Sequence, residues 1–111
     1  MDVREIAEKM RTLEYHLRLM AKALERTEYQ FTKLVVENNL SEQETKEFFI
    51  LCEKMNKQME EQKAEGFLNF HPLFQEFSSS LSSKLNPRDV VRACKDQKLF
   101  LSLMNEFNKY V

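Results

Sequence analysis

Seven apolar residues near the N-terminus, Val3, Ile6, Met10, Leu13, Leu17, Met20 and Leu24, are separated by alternating steps of three and four. On a helix of 3.6 residues per turn such a set forms one narrow stripe, the seam that a coiled coil presents to a partner helix. A globular core asks for a wider apolar face, so the spacing predicts a long helix over about 3–24 that associates with other copies of the chain. Ala7, Ala21 and Ala23 flank the stripe, while Tyr15 and Leu19 lie one turn apart and off it. The seam is read as facing other chains, and the Tyr15/Leu19 pair as facing the helix's own domain. Leu17 and Leu24 at a positions, with Ile6 at d, lean toward three strands over two. A homotrimer is therefore expected slightly ahead of a homodimer.

The rest of the chain reads as more helix. Tyr29, Phe31, Leu34, Val35 and Val36 fill a short helix over about 28–38 that stops at Asn38-Asn39, where asparagine tolerates the left-handed conformation of a helix end. Ser41-Glu42-Gln43-Glu44 is a capping box, which opens a third helix. Its end falls near Glu65, because Gly66, the single glycine of the chain, suits a C-terminal cap with positive φ. Phe48, Phe49, Ile50, Leu51 and Cys52 surround one level of this helix, so that end must be enclosed. Beyond Glu53 only Met55 and Met59 are large and apolar, and the far half reads as a solvated rod with a thin seam. That seam is an antiparallel neighbour for the first helix or for another subunit, and the intramolecular pairing is a rival for part of the stripe.

Six of the nine phenylalanines follow Gly66, namely Phe67, Phe70, Phe74, Phe77, Phe100 and Phe107. Pro72 suits a helix start, and Phe74, Phe77, Leu81 and Leu85 keep helical spacing through a serine-rich stretch. Asn86-Pro87 marks a further start, and a last helix is expected over about 98–110. The fold class is all-α: about six helices in a multihelical bundle or array with a long N-terminal coiled-coil-like helix. Residues 1–111 form one domain, divided into an oligomerisation helix (1–25), a helical hairpin (26–66) and an aromatic-rich helical core (67–111).

One glycine and two prolines leave too little punctuation for a β fold, and 42% hydrophobic with 32% charged residues describes a soluble chain. Residues 1–26 carry six basic and five acidic groups, 27–66 five and nine, and 67–111 six and four. None of these segments has the strong positive field of a dedicated nucleic-acid binder. Apolar residues after Met1 are spaced rather than contiguous, so neither a signal peptide nor a transmembrane segment is expected. Membrane binding through the basic side of the first helix is disfavoured by interspersed Glu5, Glu8, Glu14 and Glu25. Cys52 and Cys94 sit in or beside apolar runs without a CxxC, as small core residues in a reducing compartment. A cytoplasmic location follows.

Residues that carry chemistry are scattered. His16 and His71 are unaccompanied, so no metal site is expected. Cys94 has Arg92 and Lys95 as neighbours, but its apolar face argues against a reactive thiol. One glycine cannot build a phosphate cradle. No catalytic, cofactor-binding or metal-ligating residue is assigned, and no cofactor. Five of the six methionines, Met10, Met20, Met55, Met59 and Met104, are read as core filling in preference to an adaptable partner surface. Arg88, Arg92 and Lys95, at i, i+4 and i+7 with Lys84 nearby, form the one basic helix face that invites nucleic acid.

Leu13-Glu14-Tyr15, Leu40-Ser41, Gln62-Lys63-Ala64-Glu65-Gly66-Phe67 and the stretch Leu99 to Phe107 together resemble the YhaI-like family of uncharacterised proteins from bacilli. The resemblance covers nearly the whole chain. It implies an all-α oligomeric fold and brings no catalytic, metal or ligand residues. The functional expectation is a non-enzymatic cytoplasmic interaction or scaffold protein that self-associates through its N-terminal helix, with an unidentified protein partner left open. The alternative is a small transcription-associated regulator that contacts DNA through Arg88, Arg92 and Lys95.

Overall fold

A computed structural model describes all residues from 1 to 111. Six α-helices follow one another: α1 (Val3–Ala23), α2 (Gln30–Glu37), α3 (Glu42–Ala64), α4 (His71–Ser80), α5 (Pro87–Gln97) and α6 (Leu101–Phe107). A 3₁₀ turn at Asn108–Tyr110 ends the chain, and no strand is present. The all-α class and the helix count expected from the sequence are both found.

Helix ends follow local chemistry. Glu5 N–H donates to Asp2 Oδ1 at 2.8 Å, which satisfies one free donor at the start of α1. At α3 the capping box is complete: Glu44 N–H donates to Ser41 Oγ at 3.1 Å, and Ser41 N–H to Glu44 Oε1 at 2.9 Å. Gly66, at φ +92°, closes the same helix, with Gly66 N–H on the Lys63 carbonyl at 3.0 Å and Phe67 N–H on the Gln62 carbonyl at 2.9 Å. This pair of bonds is a Schellman motif. Asn39 (φ 55°) and Lys98 (φ 61°) end α2 and α5 in the same way.

The core is built from residues beyond α1, from Phe31 to Phe107. Phe48, Cys52, Met55 and Met59 of α3 face Leu73, Phe74 and Phe77 of α4, Val90, Val91 and Cys94 of α5, and Leu103, Met104 and Phe107 of α6. Aromatic rings thread the cluster: Phe31 stacks on Phe48 with centroids 5.0 Å apart, and Phe107 meets Phe77 at 4.9 Å and Phe74 at 5.4 Å. Such contacts add about 0.5–1.5 kcal/mol each beyond the area they bury. The 3₁₀ turn is pinned over the start of α4, where Phe70 N–H donates to the Tyr110 hydroxyl at 3.0 Å.

Four expectations are corrected. The far half of α3 keeps a solvated outer side, with Glu53, Lys57, Glu60 and Lys63 exposed, but its thin seam is not open, since Met55 and Met59 are wholly buried in the core cluster. Its seam is thus unavailable to α1. The helix expected to continue through Leu81 and Leu85 stops at Ser80, where Leu81 turns extended. Serine chemistry explains the stop: Ser82 Oγ accepts from Lys84 N–H at 3.2 Å and the Ser82 carbonyl from Leu85 N–H at 3.0 Å, so a turn carries Leu85 into the core. The last helix begins at Leu101 rather than Lys98, because Lys98 and Phe100 both adopt the left-handed region and make a corner. Phe100 then reaches Phe49, 6.0 Å away. Finally, the Tyr15/Leu19 face of α1 does not turn toward its own domain, for both residues are about half exposed.

Within residues 26–66, α2 and α3 meet at a corner through Phe31, Phe48 and Phe49. Along its length α2 packs instead on α5, where Thr32 N–H donates to Gln97 Oε1 at 3.0 Å and Gln97 Nε2 returns a bond to Thr32 Oγ1 at 3.1 Å.

Candidate association surface

No residue of α1 belongs to the core cluster. Only Ala21, near its C-terminal end, is buried, where α1 meets α2. The helix therefore projects from the body as an arm of roughly 32 Å at 1.5 Å per residue. Overall extents of 61 × 28 × 17 Å and a radius of gyration of 17.1 Å express this shape. A compact chain of this length would have a radius near ~13 Å.

The sequence makes the arm stiff and fixes its root. Twenty-one residues without glycine or proline, started by Asp2, form a continuous helix. At the root the Gln30 side-chain amide donates to the carbonyls of Leu24 (2.9 Å), Glu25 (3.2 Å) and Thr27 (2.7 Å). Thr27 Oγ1 adds a bond to the Leu24 carbonyl at 2.8 Å. These bonds tie the cap residue Leu24 and the linker carbonyls of Glu25 and Thr27 to the start of α2, and so fix the direction in which the arm leaves the body.

Every seam residue from Val3 to Met20 is open to solvent, from 44% exposed at Ile6 to 82% at Val3. Leu24, the last of the seven, is half-buried at the root. Own-chain contacts thus leave six of the seven side chains exposed, and the intramolecular α1–α3 pairing is not formed. Beside the root, Glu14, Leu17, Arg18 and Ala21 of α1 face Val36, Glu37 and Asn39 across a cleft of about 440 Å³. The α2 wall of this cleft was not legible from the seam. Val36 was visible only as one apolar residue in a short run.

Arg88, Arg92 and Lys95 lie on one side of α5, but the grooves they border differ. Arg88 lines a groove with Asp89, Tyr110 and Val111, whereas Arg92 opens into another with Lys33, Glu37, Asp89 and Asp96. Lys95 is half-buried. Lys84 is engaged elsewhere, donating to Glu44 Oε1 at 2.7 Å and to the Asn39 carbonyl at 3.0 Å. Acidic side chains in both grooves dilute the field that phosphates would meet.

Both thiols are wholly buried. Burial in apolar surroundings pushes the Cys94 thiol up to about 12. Burial likewise raises Cys52, with smaller contributions from the neighbouring Cys94 and Glu53. Thiolate chemistry is suppressed at both. His16 stands on the arm beside Tyr15, and the His71 ring lies 5.2 Å from that of Tyr110 at the start of α4. No three His, Cys, Asp or Glu side chains are grouped to hold a metal ion. No helix is long and apolar enough to cross a membrane.

The fold and surface define a class: an all-helical domain with a closed aromatic core and a projecting helical arm. A family model described as protein of unknown function (DUF1878) matches residues 1–111. The chain belongs to that family.

Proposed function

We propose that this protein is a non-enzymatic interaction or scaffold protein whose α1 arm joins copies of the chain into a homo-oligomer, a trimer ahead of a dimer. One observation carries this reading: the Val3–Met20 seam stays exposed although the body's core closes without it. An unbroken apolar stripe on a free helix is stabilised by covering it, at roughly 25 cal/mol per Å² of apolar surface removed from water. Identical stripes on two copies are mutually complementary, so a second copy is a sufficient partner. Resemblance to the YhaI-like proteins of bacilli supports the same oligomeric reading. The two free, buried cysteines support a reducing cytoplasmic location. Contact with DNA through Arg88, Arg92 and Lys95 is the weaker alternative, because Asp89, Asp96 and Glu37 stand among them.

Sedimentation at micromolar concentration tests the proposal, with a mass of two or three chains expected. Leu17→Asp places a charge in an apolar layer and should give a folded monomer with unchanged helical content. A monomeric wild-type protein, or a Leu17→Asp assembly of unchanged mass, would overturn the reading.

A further inference from the structure

We propose that the arms associate in parallel and in register, with Lys9 of one copy facing Glu14 of the next; this rests on α1 being the self-association surface. With Val3, Met10, Leu17 and Leu24 at a, and Ile6, Leu13 and Met20 at d, Lys9 takes a g position and Glu14 the e position five residues later. Those two positions meet across the seam of a parallel coil. The remaining flanking positions of the exposed stretch carry no carboxylate or ammonium beside this pair, since Ala7 occupies the other e position and His16 the other g position. Both partners are free to engage: the ion pair within α1 joins Arg4 to Glu8, and neither Lys9 nor Glu14 has a side-chain hydrogen bond or ion pair in its own chain.

Antiparallel pairing loses this complementarity. Layers of a against d would set Val3 on Met20, Ile6 on Leu17 and Met10 on Leu13, with g facing g and e facing e. Lys9 would then approach His16, and Glu14 would approach Ala7. The ammonium then has no carboxylate opposite it, and the carboxylate meets a methyl. Ala21 limits the shared stretch, because α2 already covers it. The coil therefore runs from Val3 to Met20, and the bodies lie at the same end.

Leu13→Cys tests orientation, since a parallel, in-register coil places this d residue against its own copy and mild oxidation should give a disulfide-linked pair on a non-reducing gel. The native cysteines are buried and stay silent. Absence of that link in a sample whose sedimentation still shows the assembly overturns the parallel register, and a link appearing only on mixing with Met10→Cys identifies the antiparallel one. Wild-type protein that sediments as a monomer overturns the underlying association instead. In a second measurement Lys9→Glu and Glu14→Lys should each weaken association by on the order of tenfold, and the double swap should restore it. Equal weakening in the double swap would also overturn the pairing.

Discussion

Lys84 Nζ lies 2.7 Å from Glu44 Oε1, joining the α4–α5 linker to the first turn of α3 across 40 positions of sequence. The same carboxylate oxygen accepts Ser41 N–H, so one side chain serves both the helix cap and the tertiary tie. The Lys84 bond first, and the Ser41 backbone bond second, hold the Glu44 carboxyl below its usual 4.5. A depressed carboxyl contributes stability above its unfolded value, and the contribution is lost as pH falls through the folded one. Urea unfolding should therefore show stability falling as pH drops below about 4.5. Lys84→Met should flatten that part of the profile. A variant whose profile parallels the wild type would show that the tie does not set the titration.

Gly66→Ala should destabilise the domain through the backbone alone. A Cβ built at Gly66 meets nothing within 4 Å, so no clash contributes, and the cost is that of holding an L-residue at φ +92°. About 1–2 kcal/mol is expected, read as a lower urea midpoint with unchanged slope. Gly66→Asn should cost less, since asparagine visits the left-handed region more readily.

Local signals were the legible ones. Ser41 with Glu44, Gly66 and Asn86-Pro87 each placed a helix end, because a cap is decided by residues a few positions apart. What could not be read depended on distant partners. Leu81 and Leu85 keep helical spacing but reach the core from a turn, since the Ser82 hydroxyl and carbonyl offer the backbone another set of bonds. Met55 and Met59 looked like a thin seam because α4–α6 bring the covering residues from later in the chain. Phe100 takes a left-handed conformation that no local pattern marks for an aromatic residue. The candidate surface was legible in its residues but not in its setting: the stripe spans Val3 to Leu24, while the half-burial of Leu24, the α2 cleft and the Gln30 bonds at the arm's root required the folded chain.

Cys52 and Cys94 should resist labelling by an aromatic disulfide reagent near neutral pH. Both are wholly buried, and burial raises both thiols far above the pH of the assay, so reaction requires opening of the α3–α5 region. The two should become reactive together, at the denaturant concentration where helical signal is lost. Rapid labelling of either in native protein would show that the core opens locally at that helix.

Identical methionine truncations should separate the two apolar surfaces. Met59 is wholly enclosed in the core, so Met59→Ala leaves a cavity and should cost about 2–5 kcal/mol of unfolding free energy. Met10 is more than half exposed, and its replacement by a better helix former should leave the isolated chain within about 0.5 kcal/mol of wild type. Urea unfolding at the lowest workable protein concentration reads the first effect with little contribution from assembly. Repeating the titration over a concentration series reads the second: the wild-type midpoint should rise with concentration, and Met10→Ala should rise less because its seam buries less apolar surface. A Met59→Ala protein as stable as wild type would contradict the packing of α3 into the body, and identical concentration dependence in Met10→Ala would remove that residue from the seam.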